Sequence, residues 1–342
     1  MAENMNLKCN TTSKRMLDVK NLKVSFFTDD YEVKAVNDIS YYVNEQEVVA
    51  IVGESGCGKT VSQLATIQII QSPPGKIIGG EILFNGDDLL KYPANSKEMQ
   101  NIRGPKISMI FQEPMTSLNP VFTIGKQLVD IIKAHRSLGE KKARELGVES
   151  LRAVKIPDPE DRMRNYPFEI SGGMRQRVLI AFCVACNSKL IIADEPTTAL
   201  DVTTQAQVME LLLKIVQENR SSLVIVTHNL GLVARYARRI YVMYAGQIVE
   251  TGKSEDLLVH PRHPYTIGLL KSVPTLNTGK DEELVPIKGA PPNLAKLSGK
   301  CAFLERCDYS RSICNKVQNP ELRNIGKEHY IRCQIDIADN IK

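Results

Sequence analysis

Eight consecutive residues, Gly53-Glu54-Ser55-Gly56-Cys57-Gly58-Lys59-Thr60, fit the spacing G-x-x-x-x-G-K-[ST] without a mismatch. They follow "EVVAIVG", an unbroken apolar run of the kind found in a strand buried on both faces. They also open a stretch over residues 59–70 that reads as a helix. A glycine-rich turn in that context lets successive backbone N–H groups point inward, and the helix N-terminus adds a favourable dipole. The loop is therefore a cradle for phosphate oxygens. In such a cradle Lys59 neutralises the β- and γ-phosphates and the Thr60 hydroxyl holds Mg²⁺. Cys57 lends its backbone N–H rather than a reactive thiol.

The rest of the chain supports an α/β core with a parallel sheet. "LDVKNLKVSFF", "AVNDISYYV" and "GGEILFNG" read as strands, as do the compact runs "KLIIAD" and "SLVIVT", each followed by a helical stretch. "RRIYVMYAGQIVETG" reads as a closing hairpin, and the pattern over about 126–186 is helical. The expected organisation is a flexible segment over 1–16, a nucleotide-binding domain over 17–255 with a helical insertion at about 115–186, and a C-terminal extension over 256–342. The extension is rich in Pro, Gly and Lys and poor in periodicity, so it reads as a separate unit.

Composition excludes several classes. With 43% hydrophobic and 24% charged residues among 342, this is ordinary globular composition. The net charge of +5 is spread along the chain, so there is no nucleic-acid arm. The N-terminus lacks the apolar core of a signal peptide. No run approaches the ~18 apolar residues of a membrane span. A cytosolic setting is expected, where structural disulfides are rare.

"LIIADEP" places Asp194 and Glu195 at the end of a second buried strand. Beside a phosphate loop, Asp194 has the role of holding the Mg²⁺ water shell, and Glu195 that of polarising the attacking water as a general base.

Further motifs carry a resemblance. "SGGMRQR" at Ser171–Arg177 resembles the signature of ATP-binding-cassette (ABC) proteins, and Gln112 in "MIFQEP" resembles their Q-loop. "TALD" ending at Asp201 resembles the D-loop, and His228 in "VIVTHN" the switch histidine. Ile170 and Met174 depart from the usual L-S-G-G-Q, the second in the manner of the peptide-importer branch. "HPRHPYTIGLLKSVP" and "IKGAPPNL" are similar to the C-terminal extensions of oligopeptide and dipeptide importer ATPases.

The resemblance implies a P-loop ABC fold: a mainly parallel core sheet, an antiparallel β subdomain, an inserted helical subdomain and a small irregular extension. It implies two cassettes pairing head to tail around two ATP molecules. Each nucleotide lies between the phosphate loop of one and Ser171-Gly172-Gly173 of the other, with Asp201 in the D-loop between them. Gln112 touches Mg²⁺ and relays nucleotide state, while His228 contacts the γ-phosphate and orients Glu195. An aromatic among Phe26, Phe27 and Tyr31 stacks on adenine. The implied partners are a second ATPase subunit, identical or paralogous, two transmembrane permease subunits and, indirectly, an extracytoplasmic solute-binding protein. The implied location is the cytoplasmic face of the membrane. A nickel or other solute importer of the same branch is the alternative. Non-transport ABC ATPases acting on nucleic acid or ribosomes usually carry two cassettes or a coiled-coil insertion, and this chain has neither.

Seven of the eight cysteines remain to be placed. Cys183 and Cys186 lie in an apolar helix and read as core, and Cys9 is uninformative. Cys301, Cys307, Cys314 and Cys333 follow C-x5-C-x6-C-x18-C in a stretch too poor in apolar residues to build its own core. Such a unit needs a staple. Zinc prefers tighter pairs. Four loosely spaced thiolates suit a [4Fe–4S] cluster, and the resemblance points the same way. Zn²⁺ is the alternative, a structural staple is favoured over a redox sensor, and no metal at all stays open.

Overall fold

The computed structural model describes residues 14–198, 200–272, 286–335 and 337. Most of the segment expected to be flexible, residues 1–13, lies outside them, as does the stretch 273–285. Two sheets organise the chain. The first is antiparallel and is built from β1 (Arg15–Phe27), β2 (Glu32–Asn44), β4 (Gly75–Phe84) and β5 (Asp87–Asp88), in the order β2-β1-β4-β5. Val19 faces Tyr41 on one side and Ile82 on the other, and all three are buried.

The second sheet carries the site. Its order is β11-β12-β10-β9-β3-β8-β7-β6, where β11 is Arg323–Gly326 and β12 His329–Ile331. Here β3 is Val48–Val52, β6 Ile107–Ile110, β7 Leu190–Asp194, β8 Ser222–Thr227, β9 Arg239–Tyr244 and β10 Gln247–Lys253. Strands β9, β3, β8, β7 and β6 run parallel. Every residue of β3, β7 and β8 is buried, which explains the apolar runs that fill β3 and the middle of the other two. The short "ISMI" of β6 went unread in the sequence because four residues between polar loops carry too little pattern.

Helix α1 (Lys59–Thr66) follows β3 and is one turn shorter than the sequence suggests. Helix α2 (Lys97–Ile102) is capped by Ser96, and α3 (Pro114–Ser117) begins just beyond β6. The inserted helices are α4 (Ile124–His135), α5 (Glu140–Ala153), the single turn α6 (Pro159–Arg162) and α7 (Gly172–Cys186). Leu128 and Ile132 of α4, Leu151 of α5 and Leu179 of α7 share one buried cluster with the sheet residues Val52 and Ile110. Helix α7 is the central one, with Val178, Ile180, Ala181, Cys183, Ala185 and Cys186 all buried. Burial raises the Cys183 thiol to about 12 and the Cys186 thiol to about 11, so both are protonated packing groups, as expected.

Helices α8 (Val202–Glu218) and α9 (Leu230–Tyr236) connect the later strands. Beyond β10, α10 (Ser254–Val259) and α11 (Pro264–Lys271) lead into the extension. The extension does not stand apart from the core sheet. Its hairpin, β11 (Arg323–Gly326) and β12 (His329–Ile331), adds to β10 in antiparallel fashion, with Ile331 opposite Glu250. Glu250 is fully buried and accepts hydrogen bonds from the backbone N–H groups of Arg262 and His263, while His329 Nε2 lies 2.7 Å away. Ile267, Ile331, Ile335 and Ile337 form a small cluster with Cys333. The extension thus has a small apolar cluster of its own, closed between α11, β12 and the segment after β12, and its Tyr265, Leu269 and Phe303 also join the main cluster with Tyr244 and Val249. Among the described residues no helix is long and apolar enough to cross a membrane.

Candidate active site

Residues 53–58 turn the chain from β3 into α1. Gly58 has φ of 99°, and a Cβ there would lie 2.2 Å from the Ala35 carbonyl oxygen, so only glycine fits. Lys59 is 5% exposed and folds back over the loop. Its ammonium donates to the carbonyl oxygens of Gly53 at 2.8 Å and Glu54 at 2.9 Å. The Cys57 thiol is pushed up by burial, which outweighs the nearby Lys59 charge, so it is a poor nucleophile.

Three neighbouring parallel strands deliver the acidic part of the site at their C-terminal ends, where open α/β sheets place ligands. Asp194 closes β7 and is 2% exposed. Its Oδ1 has no hydrogen-bond partner among the described residues. Burial pushes this carboxyl up, helped by the Glu195 charge and opposed by a hydrogen bond with Thr60 and the Lys59 charge. An orphaned buried carboxylate oxygen beside a threonine hydroxyl is a donor set that suits a hard divalent cation.

Glu195 follows with φ of 45°. Gln112, just past β6, donates from Nε2 to Glu195 Oε2 at 2.9 Å, and Thr198 Oγ1 donates to the same oxygen at 2.9 Å. His228, just past β8, places Nδ1 3.1 Å from Oε1. Burial alone would push the Glu195 carboxyl up. The hydrogen bonds from His228 and Thr198, aided by nearby positive charge, outweigh it and hold the group below the ordinary carboxylate range. Glu195 is therefore an oriented carboxylate at neutral pH, fit to take a proton. Thr198 was not singled out in the sequence, because a threonine inside a turn carries no signal of its own.

The other motif residues lie elsewhere. Ser171 caps α7, its Oγ accepting from the Met174 N–H at 3.3 Å, and Asp201 caps α8, its Oδ1 accepting from the Thr204 N–H at 3.0 Å. Ser171, Gly172, Gly173 and Asp201 line one open cleft that none of Lys59, Asp194, Glu195 or His228 lines. One chain thus brings together Lys59, Thr60, Gln112, Asp194, Glu195 and His228, and holds the signature residues on a separate face. Of the three candidate aromatics, Phe26 packs against the interior, whereas Phe27 is 46% and Tyr31 54% exposed.

Comparison with known proteins agrees with this geometry. Residues 36–198 match the family model "ABC transporter", and residues 249–314 match "Oligopeptide/dipeptide transporter, C-terminal region". The chain is 48% identical to the oligopeptide transport ATP-binding protein OppD of Bacillus subtilis (strain 168), over 93% of its own length and 88% of that protein's. The chain belongs to the ATP-binding subunits of the oligopeptide/dipeptide ABC importer family. The Salmonella typhimurium OppD protein is 44% identical, with 91% of this chain and 92% of that protein covered. Among solved structures, a dimeric ATP-binding cassette in a post-hydrolysis state, bound to ADP and phosphate, superposes with a TM-score of 0.61 at 26% identity. The match covers 70% of this chain and 99% of that one.

In this importer ATPase the region beyond β10 reaches back to the phosphate loop. His263 caps α11 through Nδ1, which accepts from the Tyr265 N–H at 3.1 Å. Tyr265 is fully buried, and its hydroxyl accepts the Glu54 N–H at 2.8 Å. "HPYT" by itself reads as no more than a proline-anchored helix start, so this contact was invisible in the sequence. Arg306, equally unremarked there, pairs with Glu54 through two nitrogens, at 2.7 and 3.0 Å.

Cys301, Cys307, Cys314 and Cys333 line one cavity with apolar walls from Phe303, Leu304 and Val317. All four are free thiols. Burial pushes Cys301, Cys307 and Cys333 up, Cys307 to about 11. Among the described residues, no group of three or more His, Cys, Asp or Glu side chains is placed to hold a metal ion.

Proposed function

We propose that this chain hydrolyses ATP to power uptake of dipeptides or oligopeptides, as one of two cassettes that close around nucleotide. The observation that carries the reading is the Glu195 carboxylate, oriented by Gln112, Thr198 and His228 beside a phosphate loop. Lys59 draws the phosphates against the loop backbone. Glu195 accepts a proton from a water that attacks the γ-phosphorus in line, and ADP departs. His228, 61% exposed, is free to meet the γ-phosphate while it orients Glu195. Thr60, Gln112 and Asp194 would hold Mg²⁺, which supplies charge neutralisation to the phosphate oxygens when bound. Phe27 and Tyr31 are the exposed rings available to stack on adenine.

The separate cleft of Ser171, Gly172, Gly173 and Asp201 fits a second nucleotide held chiefly by another cassette. A site completed only on closure couples binding to movement. The second cassette is a paralogue or a copy of this chain. Both would sit at the cytoplasmic face of the membrane beneath two permease subunits, with a solute-binding protein outside. The division into a segment over 1–16, a cassette over 17–255 with its helical insertion at about 115–186, and an extension over 256–342 is part of this reading.

The four tail cysteines would hold a [4Fe–4S] cluster, which supplies a covalent staple when bound. What supports this is that all four border one cavity, although among the described residues they do not form a closed ligand set. A single zinc needs all its sulfurs about 2.3 Å from one point. Iron and acid-labile sulfide, counted on anaerobically purified protein, test this. About four irons per chain are expected, and about one zinc with no iron refutes it.

The transport reading is tested in proteoliposomes holding the chain with its membrane subunits and binding protein. ATP hydrolysis should rise with added peptide. Stimulation by nickel and not by peptide would instead support the metal-importer alternative.

A further inference from the structure

A loop that binds a polyanion is a poor place for a carboxylate, yet Glu54 is the second residue of this one. Its charge belongs to the loop read here as the phosphate cradle, where like charges repel. The structure answers that charge from 252 residues away. Arg306 Nη1 donates to Glu54 Oε2 at 2.7 Å and Nη2 to Oε1 at 3.0 Å, the two-pronged geometry that gives the strongest ion pairs. Only 6% of the Arg306 side chain and 26% of the Glu54 side chain is exposed. The guanidinium has little freedom. Its Nε donates to the Lys288 carbonyl at 2.8 Å, its Nη1 also donates to the Tyr244 hydroxyl at 3.2 Å, and it lies 5.8 Å from the Phe303 ring centre. Tyr265 meanwhile holds the Glu54 N–H at 2.8 Å.

We infer that Arg306 is a positioning residue for nucleotide binding: it cancels the Glu54 charge and fixes the phosphate loop in its anion-accepting shape. Arg306 closes a single helical turn, Leu304–Arg306, immediately before Cys307, and the Leu304 N–H donates to the Cys301 carbonyl at 3.0 Å. The packing of the cysteine region therefore reaches the phosphate loop through the Arg306 side chain, beside the Tyr265 contact. This inference rests on the reading of Gly53–Thr60 as the nucleotide loop.

The test measures MgATP affinity and turnover separately on the full chain. R306A should weaken ATP binding about tenfold, within the range usual for coupled sites, with turnover at saturating ATP little changed. R306K, which keeps the charge but not the fork, should fall between R306A and the wild type. In the R306A background, adding E54Q should recover most of the lost affinity, because the uncompensated charge is gone. K288A, which removes only an exposed ion pair with Asp308, should bind normally.

R306A that folds and binds ATP like the wild type overturns the inference, as does R306A/E54Q that binds as weakly as R306A. If R306A fails to fold, R306K and R306A/E54Q decide: R306K binding like the wild type, or R306A/E54Q binding about tenfold more weakly than it, overturns the inference. K59A separates the two readings. If K59A still binds ATP normally, the nucleotide-loop reading has failed rather than the role of Arg306.

Discussion

Replacing Glu195 with glutamine isolates proton acceptance from everything else that residue does. Its Oε2 receives two donors, Gln112 and Thr198, each at 2.9 Å, while Oε1 faces His228 at 3.1 Å. The amide oxygen of Glu195→Gln can take the Oε2 position, and its NH₂ can donate to His228 in the tautomer that leaves Nδ1 bare. All three contacts then survive as neutral bonds, at a cost to folding of about 1 kcal/mol, because bonds to a charged group are the stronger kind. Catalysis loses far more. A positioned general base contributes roughly 10²- to 10⁴-fold, or about 3–5 kcal/mol of barrier. ATP binding should hold or improve, since a negative charge beside the γ-phosphate has gone. Single-turnover hydrolysis with enzyme in excess reads the chemical step. Gel filtration with MgATP reads accumulation of a nucleotide-bound dimer, which the variant should show and the wild type should lose as it turns over. A loss of turnover below about tenfold with intact ATP binding would refute the base assignment. So would a parallel loss of binding, which would mark Glu195 as a structural residue.

Other consequences are direct. Thr198→Val removes one of the donors that hold the Glu195 carboxyl low. The acid limb of the pH–rate profile should move to higher pH, and an unmoved limb contradicts that role. Gly58→Ala meets the Ala35 carbonyl at 2.2 Å in a left-handed conformation, a strain of about 1–3 kcal/mol that should weaken ATP binding by about 5- to 150-fold as read by equilibrium titration. His263 is buried, and burial lowers it to about 4, against an ordinary value of 6.5. The unfolded chain therefore takes up the proton first. Stability is full above pH 6.5 and falls as pH drops from 6.5 toward about 4. His263→Asn keeps a capping oxygen and cannot titrate, so its melting temperature should fall less across that window.

The sequence told most where chemistry and periodicity coincide. β3 and β7 announce themselves because burial on both faces requires unbroken apolar runs, and the motif spacings place Lys59, Asp194, Glu195 and His228 at strand ends. It told least where one part of the chain meets a distant part. Nothing in "HPYT" states that Tyr265 will accept a hydrogen bond from Glu54, and nothing near Arg306 states that its partner lies in the phosphate loop. Thr198 and β6 failed for a different reason, since a single hydroxyl or four residues fall below what pattern can carry. The extension's composition suggests no core, yet Ile267, Ile331, Ile335 and Ile337 meet from distant segments of it, and Tyr265 and Phe303 join the core of the sheet.

The hairpin β11–β12 has one more consequence. Without it, β10 would be the last strand of the core sheet, presenting a row of unpaired backbone donors and acceptors beside buried Ile248 and Val249. An exposed flank of that kind invites pairing with another chain. Deleting the hairpin alone would therefore convert an internal strand into an open template, and its first symptom would be self-association, with Arg306 and the catalytic groups still in the chain.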